Sequence, residues 1–144
     1  MFPPLPSTLA RYVRVAGANP AANNEVTDAV PSGKWWIPLS ISIPLAQGAT
    51  QTPQPILVID DGANTLFESL GSSAAQAAGS TCQYTWAPGL NVSAQLGSGA
   101  GIHSLGPLPY PLLLPAGFRI RTVTLGIGAN TDYGVPSYYV VELG

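Results

Sequence analysis

Charge is what this sequence has least of. Five basic and seven acidic residues among 144 put charged side chains at 8%, against about 25% in ordinary soluble domains. The net charge of −2 is too small to steer a partner. The basic residues Arg11, Arg14, Lys34, Arg119 and Arg121 are scattered along the chain. Nothing supports a phosphate-tracking groove, and no nucleic-acid partner is expected. Ser, Thr, Asn and Gln must supply the polarity of the surface. Two readings of that poverty stand side by side: much of the surface is covered by partners, or it is simply neutral and polar.

Reactive side chains are nearly as scarce. The single cysteine, Cys82, cannot form an internal disulfide, so the chain is stable without oxidation or folds in a reducing compartment. In a strand between Thr81 and Gln83 it reads as a buried, inert thiol. His103 is the only histidine, and its Gly-Ile-His-Ser-Leu-Gly setting offers neither an orienting acid nor a nucleophile. One His and one Cys cannot make a structural zinc site. The residues therefore point to no catalytic group, no metal and no cofactor, and the protein is not expected to be an enzyme.

Long apolar runs are absent too. Even Leu112-Leu113-Leu114 is fenced by Pro111 and Pro115, far short of the ~20 residues of a membrane-spanning helix. Met1-Phe2-Pro3-Pro4-Leu5-Pro6 has no basic segment followed by an apolar one, so it does not read as a signal peptide. A soluble product of a cytoplasm, without a membrane partner, is the expectation.

What the chain does have is 16 glycines, 15 prolines and 46% hydrophobic residues. The hydrophobic share excludes wholesale disorder. Many Gly and Pro with few Lys and Glu disfavour helices and suit short strands joined by tight turns. The length fits one domain, expected over residues 10–144. Residues 1–9, with Pro3, Pro4 and Pro6 fixing φ and removing amide donors, read as an extended N-terminal arm that lies over a neighbour, or as a frayed terminus.

Strands are predicted at Arg11–Ala16, Lys34–Leu45, Ile56–Asp60, Thr65–Leu70, Thr81–Trp86, Tyr110–Leu114, Phe118–Leu125 and Ser137–Leu143, with a short one at Val92–Leu96. In the clearest, Trp35, Ile37, Leu39, Ile41 and Ile43 alternate with Trp36, Pro38, Ser40, Ser42 and Pro44, which assigns the two sets to opposite faces. Pro38 and Pro44 lack amide donors, so this strand is expected at an edge or carrying a bulge. Asp60-Asp61-Gly62-Ala63-Asn64 reads as a hairpin. Ser72–Ala78 is confined by Gly71 and Gly79 to one helical turn at most, and Gly126–Pro136 reads as a loop. Without helices for crossovers the sheets should be mostly antiparallel. The fold class expected is an all-β antiparallel sandwich with jelly-roll-like topology.

Few residues stand out as candidate contacts. With Trp35 assigned to the core, Trp36 lies outside, free to meet a partner or to pack under the arm. Exposed Trp36, Trp86 and Tyr110 would suit a carbohydrate platform as well as a protein interface. Asp60 and Asp61 offer carboxylates to calcium, but before Gly62 turn chemistry is the stronger reading. Arg119 and Arg121 share one face of a strand, placed to pair with Glu142 of the closing strand or with acids of a partner. Phe2, Pro3, Pro4, Leu5 and Pro6 of the arm complete the set.

The order of motifs carries a resemblance. Val30-Pro31-Ser32-Gly33-Lys34-Trp35 leads into the alternating strand. Ile56-Leu57-Val58-Ile59-Asp60-Asp61-Gly62, Tyr84-Thr85-Trp86, Leu114-Pro115-Ala116-Gly117-Phe118-Arg119-Ile120-Arg121 and Tyr139-Val140-Val141-Glu142 follow. Over about residues 30–143 the chain resembles small jelly-roll virion proteins of tailed bacteriophages that act as capsid cement (decoration) proteins. It departs from them in having Ala129-Asn130-Thr131-Asp132-Tyr133 where the family has an Asp-rich loop. The resemblance implies a structural role on the virion head, in several copies forming a dimer or trimer, clamping neighbouring major capsid proteins. The alternative is a carbohydrate-binding sandwich of a tail or head appendage.

Overall fold

The computed structural model describes residues 10–48, 50–97 and 101–144. The arm residues Phe2, Pro3, Pro4, Leu5 and Pro6 lie outside them. The described residues form eleven strands and no helix: β1 (Arg11–Ala16), β2 (Thr27–Ala29), β3 (Trp35–Gln47), β4 (Gln54–Asp60), β5 (Thr65–Leu70), β6 (Thr81–Ala87), β7 (Ile102–Pro107), β8 (Leu114–Pro115), β9 (Arg119–Leu125), β10 (Thr131–Tyr133) and β11 (Ser137–Leu143).

The first sheet runs β1-β11-β3-β6-β7, with β8 and β10 also paired to β3; the second runs β2-β9-β4-β5. Antiparallel pairs join β1 to β11, β2 to β9, β3 to β6 and β4 to β5. Each early strand thus meets a late one, as when a long hairpin with its turn between β4 and β5 is rolled up. This is the strand order of a jelly roll. The expected fold class holds, with one addition: β7 joins β6 in parallel. Parallel neighbours need a long crossover, and the stretch of chain between Ala87 and Ile102 is long enough for one.

β3 is a central strand and is bulged. Tyr139 faces Ser40 across the ladder, but its neighbour Val140 faces Pro38, which leaves Leu39 as the extra residue. On the other side β6 pairs only from Ile41 onward and β8 covers Trp35 and Trp36, so among the described residues Pro38 has no ladder partner on that side. A bulge inserts one residue and shifts the alternation. The single alternation predicted for Trp35 to Ile43 is therefore corrected. Ile41, Ile43 and Leu45 face the core, but before the bulge the core residue is Trp36, and Trp35 faces out.

The core between the sheets includes Trp36, Ile41, Ile43, Leu57, Ile59, Tyr84, Trp86, Ile120, Tyr138 and Val140. Trp36 packs on Tyr138 with ring centroids 5.9 Å apart, and Tyr84 stacks on Trp86 at 6.1 Å. Gln76 is fully buried and ties the Ala-rich segment to this core. Its Nε2 donates to the carbonyls of Leu45 (3.0 Å) and Ser80 (2.9 Å), and its Oε1 accepts from the Tyr84 hydroxyl (3.0 Å). The predicted helical turn at Ser72–Ala78 does not form, since Gln76 holds the segment as bends instead.

Other boundaries also shift. Of Val92–Leu96 only Leu96 forms a β-bridge, to His103, while the Ser93 amide donates to the Leu105 carbonyl at 3.0 Å. Tyr110–Leu114 reduces to β8, whose partner is the short free stretch of β3 at Trp35 and Trp36. β2, β7 and β10 had no predicted strand; each is defined by its partner strand and not by its own alternation.

Candidate interaction surface

Among the predicted site residues, Arg119 and Arg121 meet on the outer face of the second sheet. Asp60 and Val58 alternate with inward-facing Leu57 and Ile59, so both point outward, yet both are buried, Asp60 to 2% exposure. The Asp60 carboxylate accepts from Arg119 Nε (2.7 Å) and Nη2 (3.1 Å), from Arg121 Nε (2.5 Å) and from the Gly62 amide (2.9 Å). The Arg119 guanidinium holds the carboxyl well below the usual carboxylate range, against the opposing effect of burial. Asp61 accepts from the amides of Ala63 (2.9 Å) and Asn64 (2.7 Å), which lowers it in the same direction. Both carboxylates thus do turn and ion-pair chemistry, with Gly62 in the left-handed region at φ 98°.

The predicted pairing of Arg119 and Arg121 with Glu142 does not occur, because β9 and β11 belong to different sheets. Glu142 is buried at the edge of the core. It accepts from Arg11 Nη2 (2.6 Å) and Trp36 Nε1 (3.1 Å), with Lys34 Nζ at 3.6 Å. Arg11 is the main cause of its lowered pKa.

Trp36 is corrected in the same way. It is 2% exposed, so it offers no contact surface to a partner or a sugar. Trp86 is fully buried, its Nε1 donating to the Leu70 carbonyl at 3.2 Å, while Tyr110 stands 60% exposed elsewhere. The three aromatics therefore form no common platform. Cys82 is buried, and burial pushes its thiol up to about 11.

The outer face of the first sheet holds what the sequence reading missed. Tyr12, Val141 and Ile37 stand in register across β1, β11 and β3; Arg14, Tyr139 and Ser40 form the adjacent row. Tyr12 is 82% exposed, Tyr139 45% and Trp35 37%. Tyr12, Val13, Arg14, Leu39, Tyr139 and Val140 line an open groove of about 280 Å³. Its walls are almost wholly apolar. The bulge creates this surface by turning Trp35 and Ile37 outward. Beyond it the same face is polar and self-satisfied: Gln83 Nε2 donates to Ser42 Oγ (2.6 Å), and Ser42 Oγ lies 3.2 Å from Thr85 Oγ1.

Arg14 is the distinctive member of the groove. Arg11 and Lys34 stand on Glu142, and Arg119 and Arg121 on Asp60. Arg14 donates to Ser137 Oγ at 2.9 Å and has no carboxylate within 4.0 Å among the described residues. A signal for this face existed in β11: Tyr139, Val141 and Leu143 are apolar, and so are Tyr138 and Val140 on the opposite side. A strand apolar on both faces either lies inside a protein or leaves one face for a partner.

Comparison with protein-family models, with curated proteins and with solved structures finds no match to this chain.

Proposed function

We propose that the protein is a non-catalytic virion component, a bacteriophage capsid cement or decoration protein. It binds neighbouring major capsid proteins on the head surface and clamps them, after synthesis in the host cytoplasm. The observation that carries this reading is the aromatic groove on the outer face of the first sheet. It stands on a jelly roll, an architecture used in viral shells. Contiguous exposed apolar surface rimmed by polar residues suits association, and Tyr and Trp supply contact area at interfaces. A shell under internal pressure gains from many small added contacts, because a regular lattice turns weak single contacts into avidity.

The carbohydrate-module alternative rested on Trp36, Trp86 and Tyr110 as an exposed platform; the two tryptophans are buried and Tyr110 alone makes no platform, which favours the cement reading. The test is direct. Purified protein added to heads assembled without it should bind saturably and raise their melting temperature. Absence of saturable binding, or binding that leaves the melting temperature unchanged, overturns the cement reading.

A further inference from the structure

We infer that the groove around Arg14 is a docking site for an extended apolar segment of a partner protein, and that this segment carries a carboxylate which pairs with Arg14 between Tyr12 and Tyr139. The inference deepens the proposed function and takes from it only the identity of the partner.

Charge complementarity selects the occupant. A guanidinium presents five donors in a planar fork that matches a carboxylate. Arg14 is exposed, and among the described residues its side chain donates only to Ser137 Oγ. An occupant with apolar groups alone would cover Tyr12, Tyr139 and Leu39 but would strip water from an unpaired charge, which is costly. A segment with one Asp or Glu among apolar residues satisfies both parts of the groove. Extended conformation follows from position. Among the described residues β1 is the edge strand of its sheet, with one side unpaired; its arginines Arg11 and Arg14 are its only edge-guarding feature, as it has neither Pro nor a bulge. A strand laid along it gains backbone hydrogen bonds as its side chains reach the groove.

A second copy of this chain fits less well. A two-fold pairing centred on the groove would bring Arg14 against its own copy. Asp132, the outward acid of β10, pairs with Ala46, while Arg14 is level with Ser40. At about 3.3 Å per residue those two positions on β3 lie roughly 20 Å apart. The second sheet also exposes apolar residues, Leu70, Val123 and Leu125, but its outer face carries charges of both signs, with Glu68 in one row with Val58 and Arg121, so charge there singles out no occupant.

Two probes separate this inference from the cement reading. The first is the heads lacking the protein, titrated with wild type, Arg14→Glu, Arg14→Lys and a control on the polar half, Thr85→Ala. Charge reversal should weaken binding by at least about tenfold, Arg14→Lys should retain part of it, and Thr85→Ala should bind as wild type. Equal binding by wild type and Arg14→Glu overturns the inference and leaves the cement reading standing. The second probe is a capped synthetic peptide, Thr-Val-Asp-Val-Thr, and its Asn counterpart, followed by the NMR shifts of β1 and β11. The Asp peptide should shift Arg14, Tyr12 and Tyr139 signals and bind about tenfold tighter than the Asn peptide. Such shifts with no head binding sustain the groove chemistry and remove the capsid. No shift, or equal shifts by both peptides, overturns the inference whatever the heads do. Sedimentation supplies the last arm: a concentration-dependent dimer abolished by Arg14→Glu makes a second copy the occupant and overturns it as well.

Discussion

The outer faces of the two sheets use the same side chain in opposite ways. On the second sheet Arg119 and Arg121 close over Asp60, a carboxylate of their own chain, and the cluster is complete. On the first sheet Arg14 stands in an apolar groove with, among the described residues, only a serine hydroxyl as partner. Internal compensation makes an arginine part of the fold; its absence leaves the charge for whatever covers the surface. The difference also explains why paired arginines in a strand are poor guides to an interface. Two cations on one strand face repel each other, so a buried acid of the next strand is their natural partner.

The sharpest way to break the comparison is through the bulge that builds the first face. Trp36→Ala should cost about 3–5 kcal/mol, as expected for a large aromatic removed from a packed core, and it also leaves Glu142 without one donor. Trp35→Ala, one residue away on the outer face, should stay within about 1 kcal/mol. Chemical denaturation of the two variants checks this; equal losses would mean that the bulge does not set the alternation.

Next in size is the closed cluster. Asp60→Ala removes the acceptor of two guanidiniums and of the Gly62 amide, for an expected loss of about 2 kcal/mol. The value is below that of a fully buried pair because both arginines keep contact with water. The sign of the pH dependence follows from the lowered pKa of Asp60. Its folded-state pKa lies below the unfolded value of 3.8, so its contribution is complete above that value and drains away as pH falls below it. Glu142, also lowered, adds to the same acid-side loss. In Asp60→Asn the decline of stability from about pH 5 downward should be shallower than in wild type, measured as denaturation midpoint against pH. An unchanged slope would assign the acid sensitivity to the other lowered carboxylates, Glu142 and Asp61.

The sandwich was legible because its evidence is local. Gly and Pro density, the alternation of Lys34–Leu45 and the Asp60–Asn64 turn each survive any tertiary arrangement, and seven of the expected strands lie within a residue or two of β1, β3, β4, β5, β6, β9 and β11. The candidate site was not legible, because it depends on one inserted residue. Pro38 announced a bulge or an edge, but only the register of β11 against β3 places the extra residue at Leu39. Everything N-terminal to it then changes face, which exchanges Trp35 for Trp36. Partners of charged residues were hidden for a similar reason: Asp60 and Arg119 are distant in sequence and adjacent only once β4 pairs β9.

The polar half of the first sheet should respond weakly. Thr85→Ala removes a cross-strand contact to Ser42 at 3.2 Å and should cost about 0.5–1 kcal/mol, read from the same denaturation curves.

The smallest effect is the most informative about the comparison. Arg14→Gln keeps a donor for Ser137 and removes a charge that no carboxylate of this chain compensates among the described residues. The folded state therefore loses almost nothing, and stability should remain within about 0.5 kcal/mol of wild type. Arg11→Gln is the matched control on the same strand: it strips Glu142 of its closest cation and should cost about 1 kcal/mol, since Lys34 at 3.6 Å retains part of the compensation. The two substitutions are chemically identical and three residues apart, so a difference between them isolates internal compensation as its cause. Equal losses would show that Arg14 serves the fold, and the contrast between the two faces would then disappear.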